Sequence, residues 1–558
     1  WDGDHKRAVH AAFVATGSAN AEDAFQRTEA ALDDYARGWV TMHTDACEAT
    51  QVRGDQSAEV LDLRVECLGE RLEELRAQVD VFAHANASTV DKSAQAARAL
   101  ARIQSCADTT ALRAPIRPPS DEPTRARVEA LRSVLAKAKA EQRAGDYTSA
   151  LALAKTSADE AVALGYRPVE AEALYLLADV QDDEGDYATS ERTFRRSFAA
   201  ALAGRHEAQA ARSLSALVVE VGLRQARFAE AHDWAALAEA ETERSSDPFI
   251  KGELARDEGR LLVREDRYEE ARAAIERCLA IWEPALGRDD YAIAGPVTDL
   301  GNVYLLEGRP DEARERYSRS IAILEKVLGP DSPSLAPNLN NLGELSIGRG
   351  DYDLAARSLE RARLLWERAL GPDHPKVALA LYNLARTQRE LGDAAGGLAM
   401  SERALAIWRN ALAPDHPDVA MGMHGVAEGL RAKGDFAGAL AQEEGALAIR
   451  EKVYGADGDE VAESLVSIGE TRLAEGRTIS TAVAPLSRAV GILERKNGNV
   501  LELAKARFGL ARALATSDAP RSHALATQAK DAYRSAATPL GVVRAEEISA
   551  WLARESRP

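Results

Sequence analysis

Aromatic side chains supply only 5% of the 558 residues. With Ala, Leu, Glu and Arg abundant, that scarcity favours helix over sheet. Positive charge is also short: 70 Lys and Arg face 89 Asp and Glu, a net charge of −19. Without a net cationic field to displace phosphate counterions, a nucleic-acid partner is excluded. No run of 18 apolar residues occurs, so no segment of this chain is expected to span a membrane. Four cysteines are too few for a disulfide scaffold, and alone they do not fix the redox compartment. No signal peptide stands at the start and the first residue is Trp1 rather than Met, so the chain reads as a piece of something longer. The G-x-S-x-G, H-E-x-x-H and Walker patterns are missing too, which argues against an enzyme and against a cofactor.

What the sequence does contain is a period. Gly308, Gly350, Gly392, Gly434 and Gly476 fall at a constant step of 42. A second set, Gly287, Gly329, Gly371, Ala413 and Gly455, keeps the same step, mostly with Pro and Asp following. Two interleaved markers sharing one period indicate a repeat array. Between them apolar residues recur at helical spacing, as in Val377, Leu381, Leu384 and Ala385. Pro333, Pro375 and Pro417 suit a first helical turn, with a preceding Asp or Ser expected to cap it. The Gly of each "GD" turn closes the first helix in the left-handed conformation. Each unit is therefore helix, tight turn, helix, loop. His374 and His416 recur with the repeat, one per unit, so they are architectural; a metal site needs three or four converging donors, and none is expected.

This pattern resembles the tetratricopeptide repeat, and the "GPDHP" and "LNNLG" version is similar to that of kinesin light chains. The resemblance implies an all-α superhelical solenoid over 124–538, about ten helix pairs, preceded by a small helical segment. A capping helix and tail follow over 539–558, with Trp551 covering the last apolar face.

Residues 1–112 lack the period and read as helices near 4–15, 21–50, 55–84 and 87–105, with a Pro-rich linker over 113–123. "AAFVATGSANAEDAF" and "ACEATQVRGDQSAEVLDLRVECLGERLEEL" resemble a segment of large myxobacterial serine/threonine kinases, lying after the membrane helix and before tetratricopeptide repeats. That resemblance implies a non-catalytic region facing the periplasm, tethered upstream of Trp1. The kinase motifs themselves are absent from this chain. Antiparallel helices turning near Arg53 and His84 would bring Cys106 within about one helical turn, axially, of Cys47 and Cys67. A disulfide from Cys106 to either one, or three buried thiols, are the alternatives.

In a stack of such hairpins the first helices line a concave face. Equivalent inner positions give Asn341 and Asn383, flanked one residue earlier by Asn340, Tyr382 and His424, and three residues later by Asn302, Glu344 and Arg386. In similar repeats the Asn holds the backbone of an extended peptide, since its amide both donates and accepts. Arg386 and Arg389 would add charge-assisted bonds to a carboxylate. The expected partner is thus a protein or extended peptide. The leading expectation is the sensory or docking region of a bacterial membrane kinase; the alternative is a free cytoplasmic adaptor. Oligomeric state is left open by the sequence.

Overall fold

Each "GD" turn is built by two residues with different tasks. Gly145, Gly185, Gly350, Gly392 and Gly434 take φ between 80° and 92°, ending one helix. The Asp after each caps the next: Asp146 accepts from the Ser149 N–H, Asp351 from Leu354, Asp393 from Gly396 and Asp435 from Gly438. Where the Gly is missing, Ala226 and Asp266 adopt φ of 55° and 59° in its place.

The computed structural model describes residues 1–18, 20–112, 119, 121–244, 247–476, 479–496, 499–536 and 538–555. Most of the expected Pro-rich linker (113–118 and 120), Gly498, Thr478 and the tail from 556 lie outside the described residues. The chain divides into two compact units, Trp1–Ser334 and Leu335–Pro558. Among the described residues there is no strand.

The first unit opens with α1 (Gly3–Ala15), α2 (Ala21–Gln51), α3 (Ala58–Ala83), α4 (Ala87–Arg98) and the short α5 (Thr109–Leu112). Five hairpins follow: α6 (Glu122–Ala144) with α7 (Tyr147–Leu164), α8 (Arg167–Asp183) with α9 (Tyr187–Ala203), α10 (Glu207–Val218) with α11 (Phe228–Arg244), α12 (Pro248–Arg264) with α13 (Tyr268–Leu286), and α14 (Ala294–Leu306) with α15 (Pro310–Leu328). The second unit holds α16 (Ala336–Arg349) with α17 (Tyr352–Leu370), α18 (Pro375–Glu390) with α19 (Ala394–Ala411), α20 (Pro417–Ala432) with α21 (Phe436–Tyr454), α22 (Asp459–Glu475) with α23 (Val483–Lys496), α24 (Val500–Leu514) with α25 (Ala519–Ser535), and a last helix α26 (Pro539–Glu555). Trp551 of α26 packs edge-on against Phe508, ring centroids 5.6 Å apart. The described residues are all-α, and each unit stacks helix pairs of the tetratricopeptide-repeat kind.

Two local expectations need correction. The fourth helix stops at Arg98 instead of running to 105, and a 3-10 turn, Ile103–Ala107, follows. Stopping early lets Ile103 and Cys106 turn into a small core with Cys67 and Leu68. There Cys106 is bonded to Cys67, Cα atoms 5.6 Å apart, while Cys47 stays a thiol. The caps before Pro375 and Pro417 are also not Asp or Ser: His374 Nδ1 accepts from the Lys376 N–H and His416 Nδ1 from the Asp418 N–H, both at 3.1 Å. The imidazole is the residue adjacent to Pro, and only the adjacent side chain reaches those donors.

Candidate binding groove

In the second unit α16 touches α18, α18 touches α20, α20 touches α22 and α22 touches α24, so the first helices form the inner line of the stack. The line curves back far enough for α26 to touch α16. Equivalent inner positions recur every 42 residues, and each further residue turns a side chain by about 100°. Three rows therefore face three directions.

Asn340, Tyr382 and His424 turn inward, toward the second helix of their own hairpin. Asn340 is 3% and His424 3% exposed, and Tyr382 is buried. His424 Nδ1 lies 2.9 Å from Glu443 Oε2 of α21. Asn341 and Asn383 turn toward the neighbouring first helix. Asn341 is half-buried, whereas Asn383 is 2% exposed and donates from Nδ2 to Asn340 Oδ1 at 3.3 Å. Gly425, next in that row, leaves the space that Tyr382 fills: a Cβ there would lie 3.0 Å from the ring. Asn340, Tyr382, Asn383 and His424 are therefore held in the packing rather than offered to the hollow.

The third row does face the hollow. Glu344 is exposed, Arg386 half-buried, and Glu428, Glu470 and Arg512 expose 17%, 22% and 35% of their side chains. Arg386 stands over the Tyr382 ring, 5.9 Å from its centroid, and has no ion pair among the described residues. Arg389 pairs through Nη2 with Glu428, while its Nη1 is buried and unbonded. Burial pushes Glu428 up, but Arg389, His424, Arg431 and Lys505 together hold it well below the usual carboxylate range. Asn302 belongs to the first unit, where its Oδ1 accepts from Tyr317 Oη at 2.8 Å.

Sequence reasoning missed a buried charged cluster behind this row. Arg450, 4% exposed, pairs with Glu463 at 2.7 Å and donates to Ser464 Oγ at 2.8 Å; Glu443 is fully buried beside His424. The signal was there. Stepping by 42 from Trp366 and Trp408 lands on Arg450, a charge in a core position. Asp179, in the acidic run 179–186, is half-buried and accepts from Gln142 Nε2 at 2.7 Å. Burial pushes it up to about 6, and pushes Glu253 to about 7. No group of three or more His, Cys, Asp or Glu placed to hold a metal ion occurs among the described residues. No helix among them is long and apolar enough to cross a membrane.

A tetratricopeptide repeat model matches residues 253–326, 293–363, 334–396 and 389–452. No curated protein matches the sequence. Among solved structures, the apo form of RapI is 11% identical, with 65% of this chain and 97% of that one covered at a TM-score of 0.51, a likeness of fold. A putative kinesin light chain of Podosopora anserina with nearly identical TPR-like repeats is 23% identical, with 37% and 98% covered at a TM-score of 0.33. A signal transduction ATPase with a tetratricopeptide repeat sensor from Pyrococcus horikoshii is 14% identical, with 66% and 52% covered at a TM-score of 0.45.

Proposed function

We propose that this chain is a non-catalytic adaptor or scaffold that binds an extended peptide of a protein partner along the first helices of its second unit. The observation that carries this is the row Glu344, Arg386, Glu428, Glu470 and Arg512: charged side chains at one 42-residue step, open to one hollow. Charged donors and acceptors repeated at a constant step suit a ligand that is itself periodic, which an extended backbone is. Arg386 contributes an unpaired guanidinium and Asn341 a neighbouring amide. In this reading residues 1–112 form the N-terminal segment, 113–123 a linker, 124–538 the repeats, and 539–558 the cap and tail.

The test is capture of partners by wild type against Arg386→Glu and Glu344→Arg. Loss of a wild-type partner by either variant, with unchanged helicity and melting, supports the groove. Identical partner sets from all three proteins would reject it.

A second reading is favoured by one observation, the Cys67–Cys106 bond, which persists in oxidising compartments. In it the chain is the extracytoplasmic sensory region of a membrane serine/threonine kinase. It requires coding sequence for an apolar helix and a kinase domain upstream of Trp1; a gene with neither leaves the adaptor reading alone.

A further inference from the structure

The N-terminal helices meet the repeats of the first unit twice, at opposite ends of the stack. At the near end α3 packs on α6. Val81 shares a small apolar core with Ala140 and Ala144. Glu74, its side chain 7% exposed, sits between Lys139 and Arg143, both at 3.3 Å, and Arg71 at 3.4 Å. A buried carboxylate with three cations and an apolar flank is a permanent anchor.

The far contact has a different character. Arg102 donates to Asp290 through Nη2 at 3.0 Å and Nη1 at 3.5 Å. Its guanidinium covers the Phe249 ring at 5.2 Å, and Phe249 is stacked on Trp282 with centroids 4.8 Å apart. Ser334 Oγ donates to Gln95 Oε1 at 3.2 Å. Asp290 lies before α14 and Phe249 in α12, four and three hairpins along from the anchor on α6, respectively. The segment is thus a chord across the arc of hairpins. The ion pair at its far end is part-exposed, 34% for Arg102 and 27% for Asp290, and such pairs hold weakly on their own.

Arg102 is placed by contacts of its neighbours, Tyr35 Oη donating to the Ala101 carbonyl at 3.0 Å and Ile103 buried against Leu68, and by a covalent tie. Arg102 directly precedes the 3-10 turn Ile103–Ala107, whose Cys106 is fully buried and bonded to Cys67 of α3, the anchoring helix. One bond, 39 residues apart in sequence, ties the far contact to the near one. We propose that the N-terminal segment is a redox-set latch: with Cys67–Cys106 formed, Arg102 is held on Asp290 and the curvature of the first five hairpins is locked, and reduction releases it.

The reductant is a dithiol. It gives two electrons and two protons, the S–S bond breaks, Cys67 and Cys106 become thiols, and the dithiol closes to its own disulfide. The 3-10 turn then keeps only its non-covalent contacts, chiefly Ile103 on Leu68, and the arc of α6 to α15 can open or tighten. Repeat arrays change pitch through small rotations between neighbouring hairpins, so one released chord alters the whole inner face.

The experiment is hydrogen–deuterium exchange on the full chain, oxidised and after dithiothreitol, for wild type, Arg102→Gln, and the swap Arg102→Asp/Asp290→Arg. Reduction of wild type should raise exchange at 99–108 and 287–293 together, by about tenfold or more, while α3 and α6 keep their protection. Arg102→Gln should raise exchange at 287–293 without reductant, and the swap should restore it. Faster exchange at 99–108 with 287–293 unmoved would overturn the proposal, as would loss of protection throughout α3 and α6, which would make the bond a plain staple. Wild-type levels at 287–293 in Arg102→Gln would overturn it as well, whatever reduction does.

Discussion

Leu359 of α17 occupies the volume that any side chain at Gly343 of α16 would need: a Cβ at 343 would lie 2.4 Å from Leu359 Cγ. The same approach recurs at Gly259 on Ile275, Gly301 on Tyr317 and Gly469 on Leu486, with buried Ala385 and Ala427 completing the row. Close hairpin packing therefore depends on a small residue once per repeat. Gly343→Ala gains up to about 1 kcal/mol of helix propensity but overpacks the crossing at about 1–3 kcal/mol, so a net loss near 1 kcal/mol is expected. Gly348, in the same helix, has nothing within 4 Å of its would-be Cβ, and Gly348→Ala should stabilise by up to about 1 kcal/mol. Urea unfolding of the two variants should move the midpoint in opposite directions.

His374 caps α18 with a neutral ring, since Nδ1 must accept the Lys376 N–H. Burial, aided by the charge of Lys376, lowers its pKa below the ordinary value of 6.5. A lowered histidine stabilises the fold above its unfolded pKa, and that contribution fades as pH falls through the folded one. His374→Ala should cost about 1 kcal/mol at pH 8 and progressively less toward pH 5. Denaturant midpoints at the two pH values check it.

His424 should respond in the opposite sense. Burial lowers its pKa, but Glu443, Glu463 and Glu428 outweigh that and leave it above 6.5. A raised histidine contributes fully below its unfolded pKa, and the contribution is lost as pH rises through the folded value. Glu443→Gln breaks a fully buried pair, which costs about 3–5 kcal/mol. The difference from wild type should be largest near pH 6 and shrink in alkali. A penalty independent of pH would mean the ring stays neutral beside Glu443.

The repeat was legible because its period is long-range and redundant: two glycine rows and an apolar stripe share the step of 42. The groove was legible only in part. Position along the helix can be counted from sequence, but the direction of a side chain depends on what the next repeat leaves open. Tyr382 goes inward because residue 425 is Gly, and Asn383 because Asn340 meets its amide. Arg386, Glu344 and their row are more exposed than Asn340, Tyr382 and His424, yet nothing local in the sequence separated them from that buried row four residues earlier. The Arg450 cluster was readable as a charge standing where Trp366 and Trp408 stand in the two preceding repeats. The 3-10 turn at Ile103 was not, because it is fixed by Cys106 reaching Cys67, a contact with no local signature.

The cysteines give a count that separates these placements directly. Alkylation needs a thiolate that is also accessible. Cys47 is a half-buried thiol, while Cys278 is fully buried and burial pushes it up to about 12. Native, unreduced protein should therefore take one label, at Cys47. Unfolding without reductant should add Cys278 alone, and unfolding with a dithiol should label all four cysteines of the chain. Three labels on unfolding without reductant are incompatible with any single disulfide, since a bond removes thiols in pairs. Labels on Cys67 and Cys278 with Cys47 untouched would instead make Cys47 the partner of Cys106. The pattern one, two, four with Cys47 first and Cys278 second leaves only Cys67 and Cys106 to be paired, because Cys47 is the thiol that the fold leaves within reach of solvent.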